Sequence, residues 1–205
     1  MASAFLNDLA QRLITGNKWE QRRNLERKLQ DLCAAPGEKV LDFGCGTGLF
    51  FPPIHAMGLQ YFGYDIDENA IRYASRLYSA GRFFSAFDSR RAFAPYDIIL
   101  ANCCFHHLED ATLSRELQNL RDSLAPGGRF LLIDLLLEDE DNHFLRRQFR
   151  KLERGAFVRS ETEYDRLVEP YFVIRKKEEI RSHVFSLKGN PIYGRLAIFE
   201  CAPYA

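Results

Sequence analysis

The chain has no net charge, since 28 Lys and Arg side chains balance 28 Asp and Glu. A balanced chain has no general electrostatic pull toward nucleic acid or an anionic membrane, although a local basic face is compatible with neutrality. It also lacks any apolar run approaching the roughly 20 residues that a bilayer-spanning helix needs. The N-terminus, MASAFLNDLAQRL, is interrupted by Asn7, Asp8, Gln11 and Arg12, so the unbroken apolar stretch of a secretory signal is missing. Cysteine is scarce: Cys33, Cys45, Cys103, Cys104 and Cys201 form an odd set with no CxxC pair. That pattern fits neither a disulfide framework nor a zinc site. The absences together predict a cytoplasmic protein with no metal and no membrane partner, and they weigh against nucleic acid.

What is present is an ordinary globular balance, 46% apolar and 27% charged in 205 residues. That is enough chain to bury one sizeable core. Residues 4–14 and 18–33 read as amphipathic helices, the second with Leu25, Leu29 and Leu32 on one face. Ala35-Pro36-Gly37 breaks the pattern and an alternation of short strands and helices follows. Strands are expected at Lys39–Phe43, Gln60–Tyr64, Arg82–Phe87, Tyr96–Ala101 and Arg129–Leu137. Helices are expected after the Gly-rich turn to about Met57, at Glu68–Tyr78 and at Asp110–Leu124, the last stopped by Ala125-Pro126-Gly127-Gly128. Alternation of this kind gives a parallel sheet with right-handed crossovers.

Beyond Leu137 a charged amphipathic helix, DEDNHFLRRQFRKLERG, precedes SETEYDRLV, whose Ser160 and Glu163 have capping-box spacing. Ile180–Leu187 and Ile192–Cys201 flank Lys188-Gly189-Asn190-Pro191 and read as a hairpin. A single domain is expected over 1–205, divided into an N-terminal helical lid (1–35), a core (36–137) and C-terminal helices with the hairpin (138–205).

The chemistry concentrates after the first strand, where Asp42 leads into Gly44-Cys45-Gly46-Thr47-Gly48 and a helix. Glycines let the backbone turn sharply beside a ligand, and the helix N-terminus presents N–H groups. The spacing is GxGxG rather than the GxGxxG of dinucleotide-binding turns, and no Lys-Ser/Thr follows as in a phosphate-cradling loop. A cofactor without a pyrophosphate fits better than NAD. Asp65, at the end of the second strand, can accept hydrogen bonds from both ribose hydroxyls of an adenosine. Asp88, after the third strand, can accept from an adenine amino group.

The segments VLDFGCGTG, YFGYDIDENAIRYASR, FDS, YDIILANCCFHHL and LAPGGRFLLID resemble class I S-adenosylmethionine-dependent methyltransferases, over about residues 36–137. Within that superfamily they are similar to the small-molecule branch, whose fourth strand commonly runs into an xHHL-like turn. The resemblance implies a Rossmann-like α/β fold with seven strands in the order 3-2-1-4-5-7-6, the seventh antiparallel. It implies S-adenosylmethionine as cofactor, with Gly44, Gly46 and Gly48 under its methionine half and Cys45 in the same turn. Asp42 would hold the amino group, Asp65 and the adjacent Ile66 the ribose side, Asp88 and Ser89 the adenine, and Asn102 and Cys103 the methionine end. The acceptor would be a small molecule reacting through oxygen, nitrogen or carbon. An RNA or protein substrate and a catalytically silent cofactor-binding subunit are the alternatives.

Several residues admit two readings. His106 and His107 sit where acceptor should meet cofactor and can serve as a base, or His107 can simply bond the turn backbone. Cys103 and Cys104 are nucleophiles or, in the absence of a Pro-Cys or Thr-Cys context, small buried residues. Trp19, Arg22 and Arg23 either reach the methionine carboxylate from the preceding helix or form a solvated face. The run containing Arg146, Arg147, Arg150, Lys151, Arg154 and Arg159 is a solvated helix face or a site for an anionic acceptor, with Arg159 and Arg147 as the leading contacts.

Overall fold

The computed structural model describes residues 18–86, 92–136, 157–187 and 190–204, with side chains described except at 18–21 and 182–194. The elements are α1 (Lys18–Asp31), β1 (Lys39–Phe43), α2 (Phe51–Ala56), β2 (Gln60–Tyr64), α3 (Glu68–Leu77), β3 (Arg82–Phe84) and β4 (Tyr96–Asn102). A short 3₁₀ turn (Phe105–His107) leads to α4 (Asp110–Asp122), β5 (Leu124–Leu135), α5 (Glu161–Val168), β6 (Phe172–Leu187) and β7 (Asn190–Pro203). The strands form one sheet in the order β3-β2-β1-β4-β5-β7-β6. β1 to β5 are parallel, and β7 runs antiparallel to both β5 and β6. Strand order and directions are those the resemblance implies.

Successive side chains of a strand point to opposite faces, and this sheet is covered on both. Leu41, Phe43, Ile99, Ala101, Phe130 and Leu132 pack under α4 and α5, against Leu113, Leu117, Leu120, Tyr164 and Val168. Val40, Ile98, Leu100, Leu131 and Ile133 take the other face, against Leu25, Leu29, Phe51 and Ile54 of α1 and α2. Burial on both faces is why these strands read as apolar runs rather than alternating ones. Fully burying a leucine is worth about 1.5–3 kcal/mol. The three buried leucines of α4 therefore outweigh any difference in helix propensity along it.

Charge sets the placement of α1. Lys28 is buried and meets Glu178 of β6 and, at 3.7 Å, Glu200 of β7. Arg129 donates to the Leu32 and Cys33 carbonyls at 2.6 and 3.3 Å, closing the C-terminal end of the helix. At the other end Arg22 Nε donates to the Leu49 carbonyl at 3.0 Å. The start of α1 thus lies beside the Gly-rich turn.

The boundaries differ from expectation most at β5 and β6; β3 also stops early, at Phe84, and β7 is longer, Asn190–Pro203. β5 begins at Leu124 because the turn cluster 125–128 is carried as a bulge: Tyr96 pairs with Leu124, but Ile98 pairs with Arg129. β6 begins at Phe172, eight residues before the expected Ile180. Its early part is charged because it is an edge strand, where Lys176 pairs with Glu178 and Lys177 with Asp165 rather than facing a core. The helices expected at 4–14 and in the charged stretch after Leu137 lie outside the described residues.

The capping box opening α5 is present: Ser160 Oγ accepts from Glu163 N–H at 3.3 Å, and Glu163 accepts from Ser160 N–H at 2.8 Å. Ser160→Ala should cost about 1 kcal/mol, lowering Tm by about 2–4 °C in a chain of this size. A thermal melt superimposable on wild type would show that the cap contributes nothing.

Candidate functional site

The parallel strands β1, β2, β4 and β5 all end on one rim of the sheet, where open α/β folds bind ligands. β1 delivers Asp42 and then the Gly-rich turn. Gly44 and Gly48 have φ of +78° and +79°, a region L side chains rarely adopt. A Cβ on Gly44 would stand 2.6 Å from the Cβ of Cys104, and one on Gly48 would stand 3.0 Å from the Phe83 ring. The missing side chains thus leave room for the turn after β4 and for β3.

The turn is fastened to the end of β2. Gly44 N–H and Cys45 N–H both donate to the Tyr64 carbonyl, at 2.8 and 2.9 Å. Gly46 N–H donates to one oxygen of Asp65 at 2.8 Å, and Asp67 N–H donates to the other at 2.9 Å. A carboxylate has about four lone-pair sites, so each oxygen retains acceptor capacity for a ribose diol. Ile66, next to it, is 79% exposed and offers an apolar surface at the rim.

Asp42 is buried and accepts from the Tyr61 hydroxyl at 2.6 Å. Burial pushes its carboxyl up to about 7; the Tyr61 hydrogen bond opposes this and the nearby Asp65 charge adds to it. Cys45 and Cys104 are pushed well up, by burial first and then by nearby carboxylates. Both remain thiols at neutral pH, and Cys104 donates to the Phe43 carbonyl at 3.3 Å. Cys104 is half-buried, with its thiol donated to that carbonyl. Cys103 has φ of +50° and its N–H donates to the Ile133 carbonyl at 2.8 Å, which bends the chain out of β4 into the 3₁₀ turn.

That turn brings His106 to Asp134, near the end of β5. Asp134 is fully buried and His106 is 3% exposed. His106 Nδ1 lies 2.5 Å from Asp134 Oδ1, while Phe105 N–H and His106 N–H donate to Oδ2 at 2.8 and 3.1 Å. A carboxylate only accepts, so Nδ1 carries the proton and Nε2 is the nitrogen at which the ring can take one up. His107 is exposed, its ring centroid 4.1 Å from that of His106.

A family model described as a methyltransferase domain matches residues 18–171. The chain belongs to that family. S-adenosylmethionine is the methyl donor that goes with membership, and the rim fits it: a glycine turn after β1, a carboxylate at each of two adjacent strand ends, acceptor capacity left on Asp65, and the exposed apolar Ile66 beside it. An uncharacterised methyltransferase of Synechocystis is 27% identical over 129 residues, covering 62% of this chain and 61% of that protein. A ubiquinone biosynthesis O-methyltransferase of Rhodopseudomonas palustris is 33% identical over 102 residues, covering 45% of this chain and 40% of the enzyme. The chain therefore spans less than two thirds of either relative. The solved structure of a TehB-like S-adenosylmethionine-dependent methyltransferase from Corynebacterium glutamicum superposes with a TM-score of 0.62, at 18% identity. That superposition covers 91% of this chain and 96% of the other and shows the shared fold.

Within this methyltransferase domain the structure brings Asp42, Gly44, Cys45, Gly46, Gly48, Asp65, Ile66, Asn102, Cys103, His106 and His107 to the one rim. Asp88, Ser89 and Arg147 lie outside the described residues, as does the side chain of Trp19. Arg22 donates its Nε–H to the Leu49 carbonyl beside the Gly-rich turn, and Arg23 is exposed.

Arg159 requires a correction, because it is not available to an acceptor. It is 4% exposed, and its guanidinium donates to Asp110 Oδ1 twice (3.0 and 2.7 Å) and to the carbonyls of Phe105, Phe157 and Leu108 (3.1, 3.1 and 2.6 Å). These five bonds use all five N–H donors of an arginine.

Two residues escaped the sequence reading, Tyr61 and Asp134. A signal for Asp134 existed, since a single carboxylate inside the apolar run FLLIDLLL must be paired when buried. Among the described residues no helix is long and apolar enough to cross a membrane. Gly44→Ala should impose both a disfavoured φ and a clash with Cys104, costing on the order of 2–4 kcal/mol of stability and abolishing measurable cofactor binding. Calorimetry with S-adenosylhomocysteine and a denaturant melt check this, and retention of both properties would contradict the geometry.

Proposed function

We propose that the chain transfers the methyl group of S-adenosylmethionine to a small-molecule acceptor by in-line displacement, with His106 as the base. One observation carries this reading: a cofactor cradle at the ends of β1 and β2 stands beside an imidazole whose tautomer is set by a buried carboxylate. The bound cofactor supplies an electrophilic methyl on a sulfonium. The protein's work is then to align the acceptor and keep water out, and well-aligned systems gain about 7–11 kcal/mol from proximity and orientation.

Asp65 accepts the ribose hydroxyls, while Asp42 faces the positively charged amino group. The backbone at Asn102 and Cys103 borders the methionine end. His106 takes the proton that a hydroxyl acceptor gives up, because the Asp134 bond at Nδ1 leaves Nε2 as its basic nitrogen. Similarity to an O-methyltransferase of ubiquinone biosynthesis supports a hydroxyl-bearing acceptor. The idea of an anionic acceptor loses Arg159 as its support.

Incubation with methyl-labelled S-adenosylmethionine and a panel of small hydroxyl, amine and acidic-carbon compounds should give label transfer to a hydroxyl compound. His106→Gln should lower kcat by ~10²–10⁴ and leave S-adenosylhomocysteine binding within about twofold. Transfer confined to protein or RNA, or normal turnover by H106Q, would reject the proposal.

Asp42 makes cofactor binding depend on pH. Its carboxyl, raised to about 7, is neutral below that value and attracts the amino group only once ionised. Affinity should therefore weaken as pH falls below about 7, by at most about tenfold per unit for one linked proton. Asp42→Asn should bind weakly with that dependence removed, and an unchanged pH profile in D42N would exclude Asp42 as its source.

A further inference from the structure

The turn carrying His106 is gripped from two sides by buried groups of opposite charge, drawn from distant parts of the chain. Asp134 takes its N–H groups, as described above. Arg159 takes its carbonyls, those of Phe105 and Leu108, and the Phe157 N–H donates to the His106 carbonyl at 3.0 Å. Arg159 is itself fixed by a bridge to Leu136 at the end of β5 and by its ion pair with Asp110 at the start of α4.

Asp134 Oδ1 accepts from Leu135 N–H at 2.7 Å as well as from His106 Nδ1, and Oδ2 accepts two backbone N–H groups. Its roughly four lone-pair sites are filled, as are the five donors of Arg159. Neither side chain has capacity left for an acceptor molecule. Any effect on methyl transfer must pass through His106.

We infer that Asp134 and Arg159 are positioning residues for methyl transfer: Asp134 keeps the His106 proton on Nδ1, and Arg159 locks the backbone that carries the ring. The inference rests on the reading of His106 as base. In the step so assisted, the acceptor oxygen bonds the methyl carbon as the methyl–sulfur bond breaks, and sulfur keeps the electron pair. The hydroxyl proton passes to Nε2, and the imidazolium, held by the Asp134 carboxylate, later releases it to solvent.

Among the described residues, the charged and titratable groups on the elements that meet this turn include Asp134 from β5, His107 and Cys104 from the turn itself, Asp110 from α4, Arg159 just before α5 and Tyr164 within α5. Asp134 bonds Nδ1 directly, so its substitution carries the sharpest signature. In Asp134→Asn the amide oxygen replaces Oδ2 under the two backbone N–H groups, which turns the NH₂ toward Nδ1. The ring proton is then driven to Nε2, where it blocks base catalysis. Loss of the carboxylate also destabilises the imidazolium, so the acid limb of any residual activity moves to lower pH.

D134N should lose ~10²-fold or more in kcat, with its acid limb displaced downward and S-adenosylhomocysteine affinity within about twofold of wild type. Arg159→Lys keeps the charge but cannot span two carbonyls and Asp110. It should lower kcat about tenfold or more without moving the acid limb. Nitrogen-15 NMR of ring-labelled wild-type protein tests the central point without substitution, and neutral His106 should show a protonated Nδ1. An Nε2–H tautomer would overturn the inference, and so would wild-type kcat and acid limb in D134N and R159K alongside an inactive H106Q. Active H106Q would instead remove the base reading beneath it.

Discussion

A carboxylate sealed inside an apolar sheet must be surrounded by donors, because its desolvation is otherwise prohibitive. Asp134 is in that position, fully buried near the end of β5. Three of its four donors belong to the turn leaving β4, so satisfying the charge also fixes that turn, its two backbone N–H groups and the His106 ring. Arg159 completes the arrangement from the opposite side by taking carbonyls. The turn that carries His106 is thereby held by buried charges as well as by the packing of Phe105 in the core. A change of one polar atom there alters both tautomer and backbone.

The cofactor side follows a different logic. Its turn is tied to β2 through the Tyr64 carbonyl and the Asp65 carboxylate, so β1 and β2 are held together at the rim proposed to take the cofactor. Asp42 is kept buried beside a strong donor, the Tyr61 hydroxyl. Burial raises its carboxyl toward neutrality, and a positively charged ligand group is what would bring it back into the ionised state. One half of the rim is satisfied within the protein, whereas the other is left to be satisfied by a ligand.

Much of this was legible in the chain itself. The strands β1, β2 and β4 have the boundaries that apolar runs and turn residues predict to within a residue, and the glycine turn and Asp65, singled out by spacing, meet through the Gly46 N–H. The capping box at Ser160 and Glu163 was visible because its partners are three residues apart. Edge strand β6 was read only in part: after Phe172–Ile174 its early residues pair with charges, Lys177 with Asp165 and Glu178 with Lys28, so no apolar alternation marks them.

The acceptor side was harder to read for a physical reason. His106 and Asp134 are 28 residues apart, and Arg159 lies 49 from Asp110, so no local spacing links them. Arg159 looked like a substrate contact because sequence records a charge and not the occupancy of its donors. By itself the sequence determined where the parallel strands run and where the glycine turn, Asp42 and Asp65 fall relative to them, since these follow from periodicity and short-range geometry. Only the tertiary structure decided that a buried carboxylate orients the His106 imidazole and that Arg159 holds the protein together at the site. Hydrogen-bond partnership across distant strands is settled by folding alone.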